Sequence, residues 1–232
     1  MGGQSHATLL FFGPALMFWY PFLMKSVARY PIPARESRIE YPVSDSRFIA
    51  TGAYTPSVER AEDFLERVRG EFAAATHNCV AWRIGYQKRV NERMSDDGEP
   101  SGTAGRPMLA VLQGQDIGDV AVVVTRYFGG TKLGMGGLVR AYSGAVRDLL
   151  KSMPLTMRVE RARHRLVVDY PRYEMIKRFI EEREGKIKEE QFAAEITLDF
   201  SLPVDRIELF EAELTQLTHG QIATSPLAHA PH

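Results

Sequence analysis

Apolar and polar positions along the 232-residue chain follow two different periods. In SRFIATGAY (46–54), Phe48 and Ala50 share one face of an alternating run, which predicts a strand. Pro56 and Ser57 introduce SVERAEDFLERVRGEFAAA, where Ala61, Phe64, Leu65 and Val68 recur at i, i+3, i+4 and i+7. That spacing predicts a helix with one buried face and Ser57 as its N-cap. NCVAWRIG (78–85) places Val80, Trp82 and Ile84 on one face of a short strand, and a polar, Gly-rich, acidic stretch without a period runs from Gln87 to Arg106. PMLAVLQGQ (107–115) fits a helix or a strand equally well. The unbroken valines of DVAVVVTRYF (119–128) predict a strand buried on both faces. GGTKLGMGG (129–137) reads as a turn, followed by a helix, LVRAYSGAVRDLLK (138–151). On that helix Leu138, Tyr142, Ala145, Val146 and Leu149 form an apolar stripe, with Arg140, Arg147 and Lys151 on the other side.

Beyond Pro154 the pattern changes. RHRLVVDY (163–170) reads as a strand and PRYEMIKRFIEERE (171–184) as a helix, with Pro171 at its start and Gly185 as the left-handed residue that ends it. IKEEQF and EITLDFSL alternate as two strands around Ala193 and Ala194, and VDRIELFEAELTQL is a last helix. This β-α-β-β-α order predicts a split βαβ, ferredoxin-like module. The expected architecture is α+β: an apolar extension over residues 1–26 outside the fold, an N-terminal domain over 27–155, a ferredoxin-like C-terminal domain over 156–222 and a flexible tail over 223–232.

Composition narrows the classes. Lys plus Arg equals Asp plus Glu at 29 each, so no global charge advertises a nucleic-acid or membrane partner. The single cysteine, Cys79, excludes an intrachain disulfide framework and a cysteine-rich zinc site, which makes a reducing, cytoplasmic setting the expectation. Residues 7–24 are almost wholly apolar, but no Lys or Arg precedes them, no Ala-x-Ala-like cleavage site follows, and Pro14 and Pro21 interrupt the run. The stretch therefore reads as a segment upstream of a true start at Met24, or as a disordered extension, rather than as a signal or a span. Locally the charge is uneven: residues 120–151 hold Arg126, Lys132, Arg140, Arg147 and Lys151 against one acid, Asp148. A neutral chain can still own a basic face.

Three stretches could carry chemistry. Gly129, Gly130, Gly134, Gly136 and Gly137, with Lys132, lie between a buried strand and a helix start. There they read either as a phosphate cradle or as a tight turn with close backbone packing. The run matches neither GxxxxGK[ST] nor GxGxxG. In SDDGEPSGTAGRP (95–107), Asp96, Asp97 and Glu99 offer carboxylates for Mg²⁺, Ser101 and Thr103 offer hydroxyls, and Arg106 offers a phosphate partner. The plainer reading of this stretch is a solvated turn. His77 and Cys79, two apart on a strand, point the same way without an orienting third group and do not make a nucleophilic pair.

THNCVAWRIG (76–85), RMSDDGEPSGTAGRPML (93–109) and VVVTRYFGGTKLGMGGLVRAYSGAV (122–146) closely resemble, in order and spacing, the signature blocks of the IMPACT/YigZ family. With the flanking segments the resemblance spans Tyr30 to Ile222; the chain departs from it in the apolar extension and at Asn78, where many relatives carry a second histidine. The resemblance implies a first domain with the βαβ fold and left-handed crossover of a small-subunit ribosomal protein, of elongation factor G domain IV and of GHMP kinases. It implies a second domain like elongation factor G domain V. Eukaryotic relatives, which share only the first domain, regulate translation by competing for the co-activator of a stress kinase. The expected function is then a non-enzymatic regulator of translation that binds RNA or the ribosome, or a translation-related protein, without cofactor, DNA or membrane. Arg106, Arg126, Lys132 and Arg140 would meet phosphates beside the glycine turn, with Tyr127 and Phe128 as stacking faces. The alternative is a Mg²⁺-dependent enzyme acting on a nucleotide or phosphorylated small molecule through Asp96, Asp97 and Glu99.

Overall fold

The computed structural model describes residues 29–87 and 89–227, so the reading of residues 1–26 lies outside the described part. No helix among the described residues is long and apolar enough to cross a membrane. In chain order the elements are β1 (Arg29–Pro33), β2 (Ser37–Val43), β3 (Ser46–Tyr54), α1 (Val58–Glu71), β4 (His77–Tyr86), β5 (Arg89–Ser95), α2 (Gly105–Gln113), β6 (Val120–Tyr127), α3 (Gly134–Ser152), β7 (Leu155–Val159), β8 (Arg161–Val168), α4 (Tyr170–Glu182), β9 (Lys186–Phe192), β10 (Ile196–Pro203), α5 (Ile207–Thr218) and β11 (Ser225–Pro226). The fold is α+β with antiparallel sheets, as the pattern predicts.

The first sheet runs β2-β3-β6-β4-β5, every neighbour antiparallel. Its central strand, β6, is buried on both faces. Val120, Val122 and Val124 pack with Met108 and Leu112 of α2 and Leu138, Tyr142 and Leu149 of α3. Ala121 and Val123 pack on the opposite face with Phe64, Leu65 and Val68 of α1 and with Trp82. Ser57 does cap α1, its hydroxyl accepting the Arg60 N–H at 3.3 Å. The ambiguous run at 107–115 is helical, burying Met108 and Leu112 at i and i+4. The polar stretch from Gln87 conceals β5, an edge strand hydrogen-bonded to β4 on one side only. Helix α3 starts four residues before the predicted Leu138, so Gly134, Gly136 and Gly137 form its first turn rather than a loop.

The second sheet runs β11-β8-β10-β9, also antiparallel, with Leu166, Ile176, Ile180, Leu198, Phe200, Phe210 and Leu214 forming a separate core beneath α4 and α5. This is the split βαβ order with a fourth strand added. Ser225 and Pro226, read from sequence as tail, pair with Arg165 and His164 at the edge of β8. A second correction concerns the end of α4: the left-handed residue is Glu184, at φ 61°, not Gly185. The Gly185 N–H bonds to the Ile180 carbonyl at 2.8 Å and that of Glu184 to the Glu181 carbonyl at 3.2 Å, a Schellman closure. Glycine stands at 185 because a Cβ there would overlap Ile180. Strand β1 pairs with β7, so the boundary expected between residues 155 and 156 falls inside a two-stranded ribbon joining the domains.

Candidate functional site

The acidic loop folds around its own carboxylates. Asp96 Oδ1 accepts the N–H groups of Ala104 at 3.0 Å and Gly105 at 2.8 Å, and Oδ2 accepts that of Gly102 at 2.8 Å. Asp96 is thus the cap of α2, which has no side-chain cap at its own N-cap position, Ala104. Burial alone would raise the Asp96 pKa; the three amides outweigh it and hold the carboxyl below its ordinary value. Asp97 accepts the Asn78 N–H at 2.6 Å and the Arg69 guanidinium at 2.9 Å. Thr103 donates its hydroxyl to the Pro100 carbonyl at 2.6 Å, and Ser101 is exposed. Among the described residues no group of three or more His, Cys, Asp or Glu side chains could hold a metal ion.

Glu99 is directed inward. Its Oε1 accepts Arg126 Nη1 at 2.6 Å and the Tyr142 hydroxyl at 2.7 Å, and all three side chains are buried. Arg126, expected on the surface as a phosphate contact, is 5% exposed. The alternation that turns Val120, Val122 and Val124 toward α2 and α3 turns Arg126 the same way, into the end of the core. Its Nε has no hydrogen-bond partner, and its guanidinium lies 5.5 Å from the Phe48 ring and 5.4 Å from the Phe128 ring. His77 is the register partner of Arg126, and its Nε2 lies 3.9 Å from Glu99 Oε1. Its Nδ1 is 2.7 Å from the Asp97 carbonyl; a carbonyl only accepts, so the Nδ1–H donates to it, and Nε2 faces Glu99. Cys79 donates its thiol to the Asp96 carbonyl at 2.9 Å, and burial first, then the neighbouring carboxylates, push that thiol well above its usual range.

The glycine turn serves geometry first. A Cβ at Gly129 would overlap the Asp45 carbonyl, and Gly130 at φ 94° and Gly134 at φ 68° sit where L side chains are strained. The first turn of α3 carries no side-chain cap. Gly136 lies open, and a Cβ built there would sit 3.6 Å from Arg140 Nη1, so the Arg140 guanidinium lies back along the helix toward its start. Lys132, Arg140 and Arg106 are exposed. Among the described residues no ion pair engages Arg106, Lys132, Arg140 or Arg147, all of which belong to the turn or to α2 and α3. On the remaining surface of this domain most arginines are paired, Arg38 with Glu71, Arg67 with Glu36, Arg83 with Glu92 and Arg93 with Glu62, while exposed Arg35 is an exception. Tyr127 points to the opposite side of the sheet, beneath the Arg47 guanidinium at 5.5 Å.

The structure therefore brings His77, Glu99 and Arg126 together, and leaves Arg106, Lys132 and Arg140 exposed on the α2–α3 layer. Asp96 and Thr103 bond within the loop, and Asp97 ties the loop to Asn78 of β4 and Arg69 of α1. Tyr142 and Phe48 complete the buried cluster, and Arg147 continues the Arg140 stripe one pair of turns on. Sequence reading missed these roles because Tyr142 fits the apolar stripe of its helix and meets Glu99 from 43 residues away. A cleft on the C-terminal domain, about 350 Å³ and lined by Arg183, Arg206, Leu209 and Glu213, includes none of these residues.

Fold and motif blocks together define a two-domain chain of the IMPACT type. The Impact N-terminal domain family matches residues 44–150, and a domain of unknown function, DUF1949, matches residues 166–221. The IMPACT family member YigZ of Escherichia coli (strain K12) is 38% identical over 192 residues, covering 82% of this chain and 94% of that protein. An IMPACT family member of Haemophilus influenzae is 36% identical over 197 residues, covering 84% and 96%. A crystal structure described as that of a hypothetical protein, 35% identical, superposes with a TM-score of 0.64 over 88% of this chain and 99% of that one. The chain belongs to the IMPACT family.

Proposed function

We propose that the protein is a non-catalytic regulator of translation that binds RNA or the ribosome through the α2–α3 layer and the glycine turn. The observation that carries this reading is the contrast in charge pairing. Arg106, Lys132, Arg140 and Arg147 stand without carboxylate partners among the described residues, while most arginines elsewhere on the same domain, Arg35 excepted, are paired with Glu or Asp. Unpaired, solvent-facing cations beside an uncapped helix start are what a phosphate backbone neutralises, releasing its counterions. Translation as the setting rests on the family resemblance.

The test is co-sedimentation of the full chain with ribosomes in low and in physiological salt. Wild type pellets with ribosomes in low salt and is released as salt rises, and Lys132→Ala and Arg140→Ala each shift the release to lower salt without altering thermal stability. A chain that stays in the supernatant in low salt, and binds no labelled RNA there, contradicts the reading.

A further inference from the structure

Phe128 stands where β6 runs into the glycine turn. The residue is 45% exposed, and its backbone N–H is held by Thr76 Oγ1 at 3.2 Å. The Arg126 guanidinium lies over the ring, 5.4 Å from its centroid, and cannot drift, because Glu99 and Phe48 hold it inside the protein. One face of Phe128 is thus backed by a fixed cation while much of the ring meets water. A single exposed aromatic ring is unremarkable on its own. This one sits at the start of the turn that carries Lys132 and leads to Arg140, both exposed and without carboxylate partners among the described residues. A rigid aromatic face bordered by free cations is the pairing that holds unpaired bases: the ring takes a base and the cations take the adjoining phosphates. Bases in a duplex are already stacked on each other and offer no such face.

Resting on the reading of this surface as RNA-binding, we propose that Phe128 is a stacking platform for one unpaired base, which makes single-stranded RNA the ligand of the glycine-turn face. Arg126 and Glu99 act behind the ring as positioning residues, and Lys132 and Arg140 meet the flanking phosphates.

The experiment is a fluorescence-anisotropy titration of the full chain against one labelled 12-nucleotide RNA, presented as a single strand and as a duplex with its complement, over a series of salt concentrations. Wild type binds the single strand more tightly than the duplex. Phe128→Ala lowers single-strand affinity by about tenfold, within the range for one stacked base, and leaves the salt dependence unchanged. Phe128→Trp restores the affinity. Equal affinity for both forms, or an unchanged affinity in Phe128→Ala while Lys132→Ala still weakens binding, overturns the stacking platform and leaves the basic face standing. Wild type that binds neither form overturns the stacking platform, and overturns the basic face as well if it also fails to pellet with ribosomes in low salt.

Discussion

Glu99 and Arg126 form an ion pair whose side chains are 3% and 7% exposed. Taking both charges out of water is costly, and their attraction offsets that cost only while both partners are present. Tyr142 supports the pair: burial drives its phenol far above the ordinary range, so the hydroxyl stays protonated and donates to Glu99. Removing one charge leaves the other buried and uncompensated. Glu99→Gln is expected to destabilise the N-terminal domain by about 3–5 kcal/mol, read from urea unfolding. Glu99→Leu combined with Arg126→Met is expected to recover most of that loss, since it leaves no orphaned charge. Additive losses in the double variant would contradict the account of the pair. The basic residue types at 106, 126, 132 and 140 were legible from sequence, but their depth was not. Arg126 differs from Lys132 and Arg140 only in standing on the core-facing side of a strand buried on both faces, and local pattern does not say which acid, 27 residues away, neutralises it.

At the scale of elements, caps separate what is legible from what is not. Ser57 caps α1 from three residues away and is visible as a sequence motif. The cap of α2 is Asp96, eight and nine residues upstream of the amides it accepts, reached only because the loop doubles back. The same carboxylates that suggested a Mg²⁺ site are therefore occupied by backbone amides and by Arg69. Strand β5 was not legible because, as an edge strand paired along one side, it carries mostly polar side chains; β2 alternates, with Ile39, Tyr41 and Val43 against the core, but Pro42, tolerated at an edge, masks it. Asp96 yields a pH prediction. Its folded pKa is depressed, so its contribution is complete above the unfolded carboxyl value of about 3.9 and is lost as pH falls through and below it. Asp96→Asn is expected to cost about 1–3 kcal/mol near pH 7, and the gap between variant and wild type should narrow at pH 3, measured as denaturant midpoints. A gap that stays constant with pH would place the role of Asp96 elsewhere.

Across the whole molecule, the two-faced core of the first sheet and the separate core of the second are joined by the β1–β7 ribbon. Buried Asp119 receives the Tyr30 hydroxyl at 2.8 Å, the Gly85 N–H at 2.7 Å and the Arg158 guanidinium, tying that ribbon to the first sheet. From the same ribbon Arg29 reaches Asp205 at 2.9 Å and Glu184 at 3.0 Å in the second domain. The two-domain plan and the ferredoxin-like order were legible because each depends on runs of apolar period, such as Ile176, Phe179 and Ile180 on α4. The ribbon was not, because β1 and β7 pair across more than 120 residues, each is only five residues long, and β1 carries Pro31 and Pro33. The α2–α3 layer, where Arg106, Arg140 and Arg147 are exposed, is the face proposed to bind phosphates. The most direct measurement is the affinity of the full chain for ribosomes as a function of salt, in wild type and in a chain carrying both Lys132→Ala and Arg140→Ala. Log K is expected to fall linearly with log salt, with a slope shallower by about two in the double variant. Affinity indifferent to salt, or an unchanged slope in the double variant, would contradict it.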